Sequence, residues 1–507
     1  MNHSMPKYPF SYWRESVKLP TYPTLEQDII VDVAIVGAGI TGITTAYLLT
    51  KAGMKVALLD AGKVINGTTG HTTAKISAQH GLIYDELIHH FGKEQAKLYY
   101  EANSEALTFI KERIQEHQIQ CDFTEEDAYV YSVSNKYEEK VKKEFKAYEQ
   151  LGIDGELVNE LPIDLNIHNA IVMKKQAQFH PVKYLLPLLQ FITTNGGKIF
   201  ENTTCLEEIT DDGIRTVHTK NGSKVTCDQI VACSHFPFYD GNGFYFARLY
   251  AERSYSVALK IQSDYPGGIY LSADEPKRSI RYTEANGEKL LLVGGENHKV
   301  GQGGDTLLHY ETLQRFGEEL FEPVDFPYRW SAQDLMTLDK VPYIGHITKN
   351  KQKVFIATGF QKWGMTNGTI AAKIITDSIL NKPNNYENLY TPSRFKIDPS
   401  LKTFVKENTN VAYHFIEGKL GGDRKPLDQL SFDEGAVITF NGKRAGAYKD
   451  EQGQIHLVDT TCTHLGCEVE WNHGDRSWDC PCHGSRFSYN GDVLEGPADQ
   501  PLKKLGE

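Results

Sequence analysis

The sequence predicts a multidomain protein: an α/β domain built on a parallel sheet, followed by a smaller all-β domain that holds a metal centre. Three observations lead there. A strand–turn–helix–strand pattern opens at Asp32, the chain loses its regular pattern after Leu380, and Cys462, Cys467, Cys480 and Cys482 crowd together near the C-terminal end. At 507 residues the chain is too long for one hydrophobic core.

Asp32–Val36 (DVAIV) is a short apolar run that suits a buried parallel strand. Gly37-Ala-Gly39-Ile40-Thr41-Gly42 follows, then a helical stretch, Ile43–Lys51, and a second strand, Lys55–Asp60. Gly37 permits the tight turn, Gly39 lets a diphosphate approach the backbone, and Gly42 lets helix and strand pack closely. The helix N-terminus, at Ile40 and Thr41, offers free N–H groups and a positive dipole end. Asp60 is placed to accept hydrogen bonds from ribose hydroxyls. Strand, helix and acid together make this a Rossmann-like dinucleotide unit rather than a bare glycine turn.

Further along, Lys93–Ile119 and Lys136–Leu151 have the polar and apolar sides of surface helices. Short β-type runs alternate with turns from Lys198 to Val231 and recur at Tyr255–Ile261, Arg278–Thr283 and Lys289–Val293. Val354–Thr358 reads as a buried strand leading to a helix from about Asn367 to Leu380. Residues 381–420 are read as a linker rich in Asn and Pro with a connecting helix over Leu401–Lys419. From about Gly421 to Glu507 the chain is β-like with close turns.

Three stretches carry a resemblance: Gly67-Thr68-Thr69-Gly-His71-Thr-Thr-Ala-Lys75, Asp339-Lys-Val-Pro342-Tyr-Ile-Gly345, and Ala357-Thr-Gly359-Phe-Gln-Lys362-Trp-Gly364-Met365-Thr366. They resemble, in order, motifs of the D-amino-acid-oxidase-like family of FAD amine and amino-acid oxidoreductases, over about Ser11 to Leu380. The resemblance implies FAD, and an α/β Rossmann-like FAD-binding domain interleaved with an antiparallel α+β substrate domain within residues 1–380. The FAD-binding parts are expected at about 28–85, 155–235 and 330–380, and the substrate parts at about 86–154 and 236–329. It also implies that Gly359 and the N–H groups of Gly364, Met365 and Thr366 lie near the flavin's pyrimidine ring, with Lys362 assisting if it points inward. The stretch with Thr68, Thr69 and His71 is similar to one that carries covalent FAD in the sarcosine and dimethylglycine dehydrogenase branch. That implies contact between His71 and the isoalloxazine and leaves open whether the contact is a bond. The family often grips a substrate carboxylate with an Arg, and Arg281 stands roughly where that Arg occurs; guanidinium matches the two oxygens. A solvated Lys362 and an exposed strand Arg281 are the plain alternatives.

Near the C-terminal end, Cys462-Thr-His464 and Cys480-Pro-Cys482-His483 fit a Rieske [2Fe-2S] centre: two thiolates, Cys462 and Cys480, on one iron, and two imidazoles, His464 and His483, on the other. Zinc is the competing metal, since it accepts the same donors. The stretch resembles the Rieske proteins of quinol–cytochrome complexes. That resemblance implies a disulfide between Cys467 and Cys482, a Ser485 hydrogen bond to a cluster sulfur, and a proline-containing covering loop at Gly496-Pro-Ala498. Where those relatives usually carry Tyr, this chain has Phe487, which cannot donate, so a lower potential is expected.

The net charge of −12 disfavours nucleic acid as a partner, and no apolar run reaches the length of a membrane span. No signal pattern stands at the N-terminus, so a cytoplasmic location is expected. The preferred reading is a dehydrogenase. It would act on a small amine or amino-acid-like substrate and send electrons from flavin through the cluster to an unknown acceptor. The same parts could run in reverse as a cluster-fed flavin reductase, or serve as a non-catalytic redox carrier or sensor.

Overall fold

The computed structural model describes residues 5–211, 213–262, 264–285, 287–394, 397–420 and 424–506. One eight-stranded sheet has Ile29–Val36 near its centre, flanked by Lys224–Ala232 and Val56–Leu59, with Val354–Thr358 and Lys198–Phe200 next outward. These five strands pair in parallel. Val33 to Val36 are buried, as a central parallel strand covered on both faces requires. The helix Ile40–Lys51 returns the chain between the first two strands. A later helix, Gly364–Ile379, crosses it so closely that a Cβ on Gly368 would stand 2.6 Å from Thr41 Oγ1.

A second, nine-stranded sheet runs in the order Pro323–Thr337, Leu249–Ile261, Glu288–Lys299, Arg278–Ala285, Ile269–Ser272, Thr124–Ser132, Asn169–Gln178, Lys75–Ile76, with Gly155–Val158 added on Asn169–Gln178. Its pairs are antiparallel except Ile269–Ser272 with Thr124–Ser132. This is the interleaved second domain, but its borders differ from those expected. Lys75–Ile76, Gly155–Val158, Asn169–Gln178 and the whole of Pro323–Thr337 belong to it rather than to the FAD-binding parts. A β-type run announces a strand; which sheet receives it depends on pairings distant in sequence.

The linker ends in a helix, Ile397–Leu420, and residues 421–423, where the last domain was expected to begin, lie outside the described residues. The C-terminal domain has two antiparallel sheets. Glu434–Phe440, Lys443–Lys449 and Ile455–Val458 form one; Glu470–Asn472, Ser477–Asp479, Arg486–Ser488 and Val493–Glu495 form the other. Among the described residues no helix is long and apolar enough to cross a membrane.

Candidate redox site

The glycine turn is built by close approach. A Cβ on Gly37, whose φ is +105°, would lie 2.4 Å from the Cys233 carbonyl oxygen, and one on Gly42 would lie 1.9 Å from the Gly37 oxygen. The Ile40 N–H donates to Thr69 Oγ1 at 3.0 Å. The first bond inside the helix is Ile43 N–H to Gly39 O, so the N–H groups of Thr41 and Gly42 stay open. The later helix starts in the same way. Its first bond is Asn367 N–H to Trp363 O, which leaves Gly364, Met365 and Thr366 with open N–H groups. Neither helix has a side-chain cap, and they cross within their first turns. Two uncapped helix N-termini around side-chain-free glycine suit the diphosphate and the electron-rich ring of FAD. Asp60 accepts from Ala38 N–H at 2.8 Å and Gly62 N–H at 2.9 Å, so it also braces the turn. Gly359, at φ +74°, presses against Thr337, where a Cβ would meet Cγ2 at 2.3 Å.

Beside this cradle lies a polar sheet face. Glu252, Ser254 and Ser256 alternate along Leu249–Ile261, and Asp334 stands opposite Glu252 on Pro323–Thr337. Lys362 does point inward: its Nζ donates to Ser254 Oγ at 2.8 Å and pairs with Glu252 Oε2 at 3.0 Å. Burial pushes the Asp334 carboxyl up to about 6, against the pull of Lys362. Thr73 packs over the same face beside Ser256, and Lys75 Nζ donates to Thr73 Oγ1 at 3.1 Å. Burial, reinforced by nearby Arg281, lowers the Lys75 ammonium to about 7.

Arg281 does not reach this face with a free fork. It is buried; Nε and Nη2 donate to the Tyr282 oxygen, and Nη1 donates to the Thr73 and Ala74 oxygens at 2.9 Å each. It holds the Thr73–Lys75 stretch in place, so the carboxylate grip expected of it is not where the structure puts it. His71 ends a short 3-10 turn, Thr68–His71. That turn is fastened to Pro323–Thr337 by Thr68 Oγ1 to Gln333 O at 2.9 Å and Trp330 Nε1 to His71 O at 2.8 Å. With His71 Nδ1 on Gly67 O at 3.0 Å, Nε2 is the ring nitrogen left for a ligand. Burial lowers its pKa.

In the C-terminal domain Cys462 and Cys480 are buried thiols, and the His464 and His483 rings stand 5.0 Å apart at 87°. Among the described residues His464 Nδ1 is buried without a hydrogen-bond partner, which leaves its lone pair free for a metal. Two thiols and two imidazoles converging from two loops fit a [2Fe-2S] cluster. Cys467 and Cys482 are joined in a disulfide, and the Cys480 sulfur lies within 4.8 Å of both. Ser485 Oγ accepts the Ala498 N–H at 3.0 Å, which leaves its hydroxyl proton for the adjoining Cys462 sulfur. Phe487 is fully buried in the core around these loops and supplies no donor.

The histidine edge faces the oxidoreductase body. The Phe236 ring lies 6.1 Å from the His464 ring, and the Phe246 ring 6.2 Å from the His483 ring, both edge-on. A Cβ on Gly484 would touch Ala251 Cβ at 2.6 Å. Next to this contact, charges are buried across the domain border. Arg253 meets Glu495 at 3.2 Å, Asp479 at 3.5 Å and Asp475 at 3.9 Å, while Arg486 meets Asp475 at 2.7 Å and Glu495 at 3.1 Å. Tyr310 donates to Asp475 at 2.8 Å, and Arg329 Nη1 to the Gly474 oxygen at 2.9 Å. Burial would raise the Glu495 carboxyl, but Arg253 and Arg486 outweigh it and hold it at about 2. The linker therefore joins a docked pair of domains.

Sequence reasoning missed Lys75, Asp334, Phe236 and the whole charge network. The alternation of Glu252, Ser254 and Ser256 was a legible sign of a polar strand face; nothing local marks Arg253 as the partner of Glu495.

Comparison with known proteins agrees with both halves. The family model for FAD dependent oxidoreductases matches residues 32–378, and that for the Rieske [2Fe-2S] domain matches residues 425–506. The Bacillus subtilis (strain 168) protein YhfW, named as a Rieske 2Fe-2S iron-sulfur protein, is 50% identical over 503 residues, covering 99% of each chain. The gamma-glutamylputrescine oxidoreductase of Escherichia coli (strain K12) is 21% identical, over 82% of this chain and 100% of its own length. The crystal structure of glycine oxidase from Geobacillus kaustophilus superposes with a TM-score of 0.61 at 15% identity, covering 72% of this chain and 99% of that one.

Proposed function

This chain belongs to the FAD-dependent oxidoreductase family and carries a Rieske [2Fe-2S] domain, and from that premise we propose that it dehydrogenates a small amine or amino-acid-like substrate and sends the electrons through the cluster to an external acceptor. The observation that carries the reading is the docking of the cluster's histidine edge on Phe236 and Phe246 of the FAD-bearing half. When bound, FAD would supply two-electron oxidation of a C–H bond beside nitrogen, and the cluster one-electron transfer outward.

The chain's own residues fit the remaining tasks. The open N–H groups of Thr41 and Gly42 would hold the diphosphate, and those of Gly364, Met365 and Thr366 would favour negative charge on the ring edge. Asp60, which already accepts from Ala38, would offer its remaining lone pairs to the ribose, and His71 Nε2 would be the ring nitrogen open to the isoalloxazine. Lys75, neutral in part at pH 7, takes a proton from the substrate's ammonium group, because only the free amine has the lone pair that assists oxidation. Glu252, Asp334 and Lys362 present one positive and two negative groups to the substrate side, which favours a basic nitrogen over a carboxylate.

Anaerobic mixing of the holoprotein with a panel of amines and amino acids tests the proposal. Bleaching of the yellow absorption, with the rhombic low-g EPR signal of a reduced histidine-ligated cluster, is the expected outcome. Bleaching only with a ferredoxin-type donor would reverse the direction of flow, and bleaching with neither would leave a carrier or sensor.

A further inference from the structure

Glu144, on the helix Asn135–Leu151, accepts the N–H groups of Ile83, Tyr84 and Asp85 at 3.0, 2.8 and 2.9 Å. The helix that begins there, Tyr84–Phe91, is thereby fixed to the oxidoreductase body. Its last turn carries two neighbouring histidines, His89 and His90, and Gly92, at φ +85°, ends it. Neighbours on a helix point about 100° apart. These two rings nevertheless lie 4.8 Å apart at 75°. Asp398, at the start of the linker helix Ile397–Leu420, comes up to them from a segment distant in sequence. One nitrogen of each ring and one Asp398 carboxylate oxygen all lie within 4.8 Å of one another.

The closest pair has the spacing of metal ligands. His90 Nδ1 stands 3.3 Å from Asp398 Oδ2. That nitrogen is buried, and among the described residues it has no hydrogen-bond partner. A plain ion pair would aim an Nδ1–H at the carboxylate and leave His89 without a part. Zinc binds His nitrogen and Asp oxygen at about 2.0–2.2 Å in a tetrahedron, whose edges are then about 3.3–3.6 Å. His90 and Asp398 already span one such edge. His89 is exposed, and a rotation of its side chain closes the remaining gap. Two imidazoles and one carboxylate are donors for a borderline divalent ion of the zinc kind, whereas calcium and magnesium take sets of oxygens. Glu86, one turn earlier, is engaged by Lys340, so water would complete the fourth position.

We propose that His89, His90 and Asp398 form a zinc-binding site that clasps the start of the linker helix to the oxidoreductase body. Farther along the same helix the Val411 carbonyl lies against Cys482 Sγ, beside the cluster loops. The clasp therefore fixes the near end of the arm that carries the Rieske domain. The site stands apart from the flavin and cluster residues, so its failure would leave the proposed reaction untouched.

Calorimetric titration of zinc chloride into the full-length holoprotein, dialysed against a mild chelator and then freed of it, is the test. One zinc per chain is expected at micromolar affinity or tighter, with excess magnesium unable to compete. His90→Ala and Asp398→Asn should each weaken binding at least about 10-fold, since even partners outside a ligand set cost roughly that much. The Asp398 side chain is 71% exposed, so flavin and cluster absorbance should remain unchanged in Asp398→Asn, which separates a lost ligand from misfolding. Amide hydrogen exchange is the second readout. Zinc should slow exchange in the first turns of the linker helix of the wild type and leave that of Asp398→Asn unchanged. Saturation only at millimolar zinc, binding indifferent to both variants, or binding that leaves exchange in the linker helix unaltered would each overturn the proposal.

Discussion

Replacing Arg253 with Met removes a guanidinium of the oxidoreductase body that pairs with three carboxylates of the Rieske domain. The side chain is fully buried and faces Glu495, Asp479 and Asp475; without it, Arg486 alone confronts three carboxylates. Removing one partner from a buried charge pair costs roughly 3–5 kcal/mol, because the remaining charges stay desolvated. Asp475 gives a second gauge. Burial would raise its carboxyl, but Arg486 and Arg253 hold it at about 2, against 3.8 for an ordinary aspartate, a difference worth roughly 2 kcal/mol. The sign follows from linkage: a depressed carboxyl stabilises the docked form fully above about pH 4, and the contribution is lost as pH falls through about 2. In R253M the carboxyl values rise, so the acid transition moves to higher pH. Two assays on the full-length holoprotein read this: urea unfolding followed by cluster absorbance, and stopped-flow reduction of the cluster after substrate is added. The variant should lose about 3–5 kcal/mol in the cluster transition, and electrons should arrive at the cluster more slowly. An unchanged unfolding midpoint together with unchanged cluster reduction would refute the docking argument.

S485A should lower the cluster potential in a redox titration by roughly 60–130 mV, the one-electron equivalent of a 1.5–3 kcal/mol hydrogen bond to a charged sulfur. F487Y, which adds a donor, should raise it. Wild-type kcat/KM should climb as pH passes about 7, where Lys75 loses its proton; K75M should abolish that limb and cut kcat by about 10²–10⁴-fold. A K75M profile identical to wild type would remove Lys75 from the proton transfer. G42A places a methyl 1.9 Å from the Gly37 oxygen, so the purified variant should carry iron but little FAD by absorbance and metal analysis.

Several features were open to reading because they are local. The glycine turn needs Gly37 and Gly42 where neighbouring backbone passes within contact distance, and a short apolar strand and a helix on either side of them are sequential. Cys462, His464, Cys480 and His483 sit in two short loops, so the donor set is written in the spacing. The inward turn of Lys362 was readable only as a choice, because a positive φ loop can aim a side chain either way; Ser254 and Glu252, more than a hundred residues earlier, decide it.

The sequence by itself determined the two cofactor-binding halves and their order, since glycines that admit backbone, and cysteines and histidines whose spacing fits an iron-sulfur cluster, act at their own positions. Only the tertiary structure decided that Arg281 clamps Thr73 and Ala74 instead of a substrate, that Pro323–Thr337 joins the second sheet, and that His464 and His483 meet Phe236 and Phe246. The physical reason is shared. A buried guanidinium takes the nearest unsatisfied carbonyls, a strand takes the open edge beside it, and a domain docks where opposite charges can be buried together. Those partners are fixed by the path of the whole chain, and no window of sequence contains both.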